Sequence, residues 1–194
     1  MRTGEPHPEG VCLINGQRVL AIIPARGGSK RVPRKNLREF RGKSLLVLAY
    51  ESMRGSKYID ALVISTDDDE IRRAVEKIGT IIVRNRPPEL ATDTASSEDV
   101  MRDVAHLFPA DWYVLLQPTS PLRTTEDIDA CIERAQLGQG CISVAFSTGK
   151  TNGAVYVCTA EYLAKHDFVY GALMKYVMPD DRSLDIDTEE DFQR

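Results

Sequence analysis

Val19-Leu20-Ala21-Ile22-Ile23 runs straight into Pro24-Ala25-Arg26-Gly27-Gly28-Ser29-Lys30, so five apolar residues in a row give way to a proline, two glycines and flanking cations. A short unbroken apolar run predicts a strand covered on both faces, as in a parallel sheet, and Pro24 stops it. The glycines let backbone N–H groups approach an anion closely, and Arg26 and Lys30 supply charge. A plain turn is the commoner reason for a glycine pair. The spacing is neither GxxxxGK[ST] nor GxGxxG, so neither of those phosphate loops is present.

Downstream of this run, helical and strand patterns alternate. Leu45, Leu48, Ala49 and Met53 form one apolar stripe and predict a helix over 44–56. Strands are expected at 61–65 and 81–83, with a helix at 69–78 ending against Gly79. Ser96-Ser97-Glu98-Asp99 opens a helix reaching about His106, Trp112 to Leu116 is a fourth strand, and Thr124 caps a helix running to Leu137. A fifth strand covers 141–146. Strands at 154–158 and 173–177 follow, with a short helix at 161–165 between them, an acidic loop at 183–187 and a last helix capped by Thr188. Such a rhythm predicts a Rossmann-like, three-layer α/β/α fold with a mostly parallel central sheet. Residues 1–18 are expected as a partly flexible extension, and 19–194 as a single domain.

Composition narrows the function. With 42% hydrophobic and 28% charged residues, the chain reads as an ordinary globular protein. No apolar run reaches the roughly 18 residues that a membrane helix needs, and Met1 to Gly10 lacks the apolar core of a secretory signal, so a cytoplasmic location and no membrane partner are expected. Cys12, Cys131, Cys141 and Cys158 have no metal-ligand spacing and are expected to pack as small hydrophobes. A net charge of -4 argues against nucleic acid as a partner. Yet residues 26–43 hold eight cations and one acid, leaving 17 basic against 28 acidic residues elsewhere. A cationic segment in an acidic chain suits a small polyanion such as a nucleoside triphosphate, although a solvated basic loop would have the same composition.

In an open α/β sheet, ligands bind beyond the carboxyl ends of the strands. Arg34-Lys35-Asn36 offers a second cationic clamp there, and the loop from Arg86 to Ser97 brings hydroxyls and a helix N-terminus. For Ser96 and Ser97, helix capping is the competing explanation. Gln117-Pro118-Thr119-Ser120-Pro121-Leu122-Arg123 is a rigid polar turn at a strand end, which favours a ligand contact. Asp185 and Asp187 flank Ile186 and share a face if the segment is extended, an arrangement suited to Mg2+; an acidic turn leading into a helix is the alternative. His7, His106 and His166 show no nucleophile-and-base logic. Phosphoryl or nucleotidyl transfer, in which the protein supplies charge and orientation, fits what remains.

In this order the loops resemble the acylneuraminate cytidylyltransferases, the CMP-sialic acid synthetase family. The matching stretches are 22–30, Lys35-Asn36, Ser65-Thr66-Asp67, 86–97, 116–123, Asn152-Gly153-Ala154-Val155-Tyr156 and 183–187. The resemblance implies a nucleotidyltransferase-type fold and transfer of CMP from CTP to the anomeric hydroxyl of a 2-keto-3-deoxy sugar acid, with Mg2+ as cofactor and a homodimer as the assembly. It further implies catalytic roles for Arg26, Lys35 and Asp187. The nucleotide would meet Ala25, Arg26, Gly27, Gly28, Ser29, Lys30, Lys35, Asn36, Arg86 and Ser97. Gln117, Thr119 and Asn152 would meet the sugar acid, and Asp185 and Asp187 the metal. Where family members carry a long insert that exchanges between subunits, only Ser147-Thr148-Gly149-Lys150-Thr151 stands here. Two other functions fit the same residues: a nucleotidyltransferase using another triphosphate with a sugar 1-phosphate, and a nucleotide-binding protein without turnover.

Overall fold

Strand β1 (Val19–Pro24) is central, and its side chains are buried on alternate faces. Leu20 and Ile22 pack on one face with Val63, Met101 and Val104, while Ala21 and Ile23 pack on the other with Leu46, Ile64, Ile71 and Ile128. Each such aliphatic side chain contributes about 1.5–3 kcal/mol by leaving water. This computed structural model describes residues 14, 16–79, 81–167 and 173–194. Most of the expected N-terminal extension, with His7 and Cys12, lies outside the described residues.

After β1 come a small hairpin, β2 (Glu39–Phe40) and β3 (Lys43–Ser44), then α1 (Leu45–Arg54), β4 (Ala61–Thr66), α2 (Asp69–Glu76) and β5 (Ile82–Asn85). There follow α3 (Ser97–Leu107), β6 (Trp112–Leu115), α4 (Thr125–Ala135), β7 (Gly140–Ala145), β8 (Thr151–Thr159), α5 (Ala160–Lys165) and β9 (Met174–Met178). The helices start where the sequence supplies oxygen acceptors: Ser44, Asp68, Ser96, Thr124 and Thr159 each accept from a first-turn backbone N–H.

Seven strands form one sheet in the order β5-β4-β1-β6-β8-β7-β9. Helices α1, α2 and α4 supply the core on one face, and α3 and α5 that on the other. The mostly parallel expectation holds, with β8 running antiparallel to both β6 and β7. Its direction follows from the short segment after β7, because a five-residue turn reverses the chain but cannot make a parallel crossover. That turn is closed by Ala145 N–H donating to Lys150 O and Gly149 N–H to Ala145 O. From β1 the chain steps outward to β4 and β5, then returns to β6 on the opposite side. The carboxyl ends of β1 and β6 therefore flank a switch point, where this kind of sheet binds ligands.

Two expectations need correction. The basic segment contains the β2–β3 hairpin, whose Arg41 and Gly42 both adopt positive φ, 53° and 84°. Two such residues make the tight turn that matches strand twist, usually written Asn-Gly rather than Arg-Gly. The last helix is a 3-10 turn, Glu190–Gln193, and Thr188 does not cap it. Instead the Asp191 carboxylate accepts from the backbone N–H groups of Asp187 and Thr188 and from the Thr188 hydroxyl. Cys131, Cys141 and Cys158 are free and buried, packed as small apolar groups. Among the described residues, no helix is long and apolar enough to cross a membrane.

Candidate active site

At the switch point lies a cleft of about 690 Å³. Its walls come from four chain segments: the loop after β1, the segment from Arg86 to Val100, the turn after β6, and Asp185 with Asp187. Arg26 and Lys35 thus share one cavity with both aspartates.

The loop after β1 is anchored from behind. Ala25 is buried and its N–H donates to Ser65 O at 2.9 Å. The N–H of Gly27 donates to Asp67 Oδ1 at 3.0 Å, and a Cβ on Gly27 would come within 2.3 Å of Asp68 Oδ2. Its missing side chain therefore makes room for Asp68. Gly28 faces open space. Arg26, Ser29 and Lys30 line the cleft, and Ala25, Gly27 and Gly28 lie behind that lining in the same loop. Asn36 borders the cleft but its Nδ2 donates to Arg26 O at 2.9 Å, so it shapes the loop that carries Arg26.

Much of the cationic run is neutralised by the chain's own acids. Arg34 pairs with Glu70, Arg38 with Glu189 and Lys43 with Glu51. Arg38 also stacks over Phe192, 4.5 Å from the ring centre. In the cleft, Arg31 reaches Asp187 Oδ2 at 3.4 Å, and Lys35 Nζ donates to Ile186 O at 2.8 Å and to Asp187 Oδ1 at 3.2 Å. The Lys35 side chain is only 15% exposed, which strengthens its field.

On the next wall, Arg86 is buried and donates to Ser65 Oγ at 3.1 Å and Ser65 O at 2.7 Å. Burial pulls its guanidinium down to about 10, with Asp67 opposing and Arg26 assisting. Ser96 caps α3 and Ser97 does not, which leaves the Ser97 hydroxyl to accept from Gln117 Nε2 at 3.3 Å. Sequence reasoning passed over Asp93 on this loop. Its two carboxylate oxygens meet Arg26 and Lys30 at 2.8 and 2.6 Å, and these cations hold its carboxyl below the usual range, Lys30 first.

The rigid turn after β6 gains its shape from Arg123, to which the sequence reading gave no role. This buried guanidinium donates to Gln117 O at 3.1 Å, Ala154 O at 2.7 Å and Ser52 Oγ at 3.3 Å, and burial lowers its pKa to about 10. An arginine closing a Pro-rich turn was the available signal. Opposite, Gly153 has φ of +72°, and a Cβ there would meet Gln117 Oε1 at 2.8 Å and Asp185 Oδ2 at 3.4 Å.

Asn152, expected at the sugar, does not line the cleft. Its amide is spent in the interior: Oδ1 accepts from Ser143 Oγ and Ala154 N–H, and Nδ2 donates to Ser183 Oγ. The side chain is 5% exposed and holds the base of the 183–187 segment. That segment is further pinned by Ile186 N–H donating to Thr119 O at 2.8 Å, with Ile186 fully buried. Asp185 and Asp187 thereby both reach the cleft. Asp185 opens onto it between protein walls; this desolvation raises its carboxyl, the Thr119 hydroxyl opposes the rise, and the charge of Asp187 adds to it.

A family model described as cytidylyltransferase matches residues 20–165. The chain belongs to the cytidylyltransferase family. It is 30% identical to the CMP-N,N'-diacetyllegionaminic acid synthase of Legionella pneumophila, with 90% of this chain and 93% of that protein covered. The aligned span of 216 positions exceeds the 194 residues of this chain, so the Legionella enzyme carries residues that are missing here. The pseudaminic acid cytidylyltransferase of Campylobacter jejuni is 28% identical over 90% of this chain and 93% of its own length. The N-acylneuraminate cytidylyltransferase of Escherichia coli is also 28% identical, but this chain spans about half its length, 51%. In fold, this cytidylyltransferase resembles a CMP:2-keto-3-deoxy-manno-octonic acid synthetase with CTP, at a TM-score of 0.72 and 17% identity over 91% of this chain and 95% of the other.

Proposed function

We propose that this chain transfers CMP from CTP to the anomeric hydroxyl of a 2-keto-3-deoxy sugar acid of the sialic, legionaminic or pseudaminic type and releases pyrophosphate. The observation that carries this reading is the single cleft holding Arg26, Lys30 and Lys35 on one flank and Asp185 and Asp187 on another. Family membership and the relatives' names supply the nucleotide and the substrate class.

The reaction forms a bond from the sugar oxygen to the α-phosphorus and breaks the α–β phosphoanhydride, whose electron pair leaves with pyrophosphate. Arg26 and Lys35 oppose the charge that grows on the phosphoryl oxygens, and preorganised cations in a partly desolvated site act strongly there. Gln117 and Thr119 orient the sugar acid, and Asp187 takes up the hydroxyl proton. Arg86 and Ser97 border the space for the cytidine, where a larger purine is excluded.

The donor set also fits Mg2+. Two carboxylates two residues apart face the cleft, and among the described residues no group of three or more His, Cys, Asp or Glu is gathered for a metal. Mg2+ takes one or two protein carboxylates and completes its shell with phosphate and water. When bound by Asp185 and Asp187, the ion neutralises phosphate charge. By family likeness we also propose a homodimer and a cytoplasmic location.

Pyrophosphate release with each of the four nucleoside triphosphates and a panel of nonulosonic acids tests the reading. Release that requires both CTP and a sugar acid is expected. Release with another triphosphate and a sugar 1-phosphate, or CTP binding with no release across the panel, overturns it. Light scattering tests the dimer.

A further inference from the structure

The salt bridges of Asp93 have no part in the chemistry described so far. Its carboxylate uses both oxygens on two cations of the cleft, Oδ1 on Arg26 at 2.8 Å and Oδ2 on Lys30 at 2.6 Å. Two anionic oxygens gripping a guanidinium and an ammonium reproduce the contacts that a phosphate group makes with such residues. All three side chains border the same cleft. We infer that Asp93 competes with the phosphates of the nucleotide for Arg26 and Lys30 and so sets the affinity of the site for polyphosphate.

Displacement of Asp93 is cheap. It sits between the short helical turn Pro88–Leu90 and α3, in a stretch held by local bonds: Thr92 Oγ1 to Glu89 O at 3.5 Å, Ala95 N–H to Thr92 Oγ1 at 3.2 Å, and Thr92 to Thr94 at 3.2 Å. Lys30 is 86% exposed and Asp93 37% exposed, so each bridge is screened by water and weak. A triphosphate, with more charge and a divalent ion to share, outcompetes one carboxylate. Asp187, from the opposite flank, reaches across to pair with Lys35, but Asp187 belongs to the proposed chemistry and Asp93 does not. Asp93 therefore tempers the cations without taking part in the transfer.

The inference rests on the proposed use of CTP, and calorimetry on wild type, Asp93→Asn and Asp93→Ser with CTP, inorganic triphosphate and cytidine separates the two. Asp93→Asn is expected to bind CTP and triphosphate about two- to tenfold more tightly, as loss of two exposed ion-pair competitors allows, with cytidine affinity unchanged. Asp93→Ser guards against a private effect of the amide and is expected to tighten both as well. Unchanged or weaker triphosphate binding in both variants, at an unchanged melting temperature, overturns the competition. So does an equal shift for cytidine, which carries no phosphate. Wild type that binds triphosphate but not CTP defeats the cytidylyl reading; tighter triphosphate binding in the variants then still supports the role of Asp93.

Discussion

The two flanks of the cleft are built in opposite ways. Around β1, β4 and β6 the sheet is parallel, and polar side chains after β1 and β6 line the cavity, while backbone groups such as Ala25 N–H and Ser65 O hold the loops. Around β8, β7 and β9, polar residues turn inward. Asn152 bonds to both Ser143 and Ser183, and buried Asp127 joins the half-buried Arg182 and Tyr176 in a second knot tying the start of α4 to β9 and the segment after it. Among the described residues, only Asp185 and Asp187 reach the cleft from this side, carried on the segment that those interior bonds support. One flank turns its polar side chains to the cleft, the other uses them to hold two carboxylates in place.

The sharpest break between the flanks is expected at Lys35. Lys35→Ala should lower kcat about 10²- to 10³-fold and change CTP affinity far less, as for a group acting on transition-state charge. Steady-state kinetics with calorimetry checks this; equal losses in both would make Lys35 a ground-state contact. On the distal flank the expected loss is of stability. Asp127→Asn strands Arg182 without its anionic partner, and about 3 kcal/mol should disappear in urea unfolding, the lower end for a broken buried pair because Arg182 keeps some water.

A smaller effect links the flanks. Gly153→Ala adds a Cβ at positive φ, costing about 1–2 kcal/mol of stability. It also pushes against Gln117 Oε1, so KM for the sugar acid should rise more than KM for CTP. The smallest effect is in pH. Burial raises the Asp127 carboxyl, but Arg182, the Thr124 N–H and Tyr176 outweigh that and leave it below its usual 3.8. A depressed carboxyl stabilises above its unfolded pKa, and that contribution is lost as pH falls through the folded value. The stability gap between wild type and Asp127→Asn should thus hold from neutral pH to about 4 and narrow below it, as acid titration of the melting temperature would show.

This contrast also explains what the sequence could reveal. Buried parallel strands write themselves as apolar runs, and residues 19–23, 61–65 and 112–116 could hardly be read otherwise. Cations after β1 and aspartates at 185 and 187 stand out because chemistry needs those residue types at strand ends. Asn152 enters only through the family resemblance, and nothing local distinguishes an amide facing a ligand from one satisfied by Ser143 and Ser183, which are near only in space. Asp93 escaped for the same reason, since Arg26 and Lys30 lie across the fold, whereas Arg123 closes its own turn on Gln117 O and could have been read there. The glycine pair shows how one residue type serves different ends: Gly27 yields space to Asp68, whereas Gly28 borders solvent.

The five-residue reversal joining β7 to β8 has a bearing on how such enzymes diversify. Because those strands pair through their own hydrogen bonds, and Phe146 at the bend is 74% exposed, extra chain spliced in after it extends into solvent. Its entropic cost grows only with the logarithm of its length. Chain length is thus free to vary at that apex while the sheet beneath goes on folding unaltered.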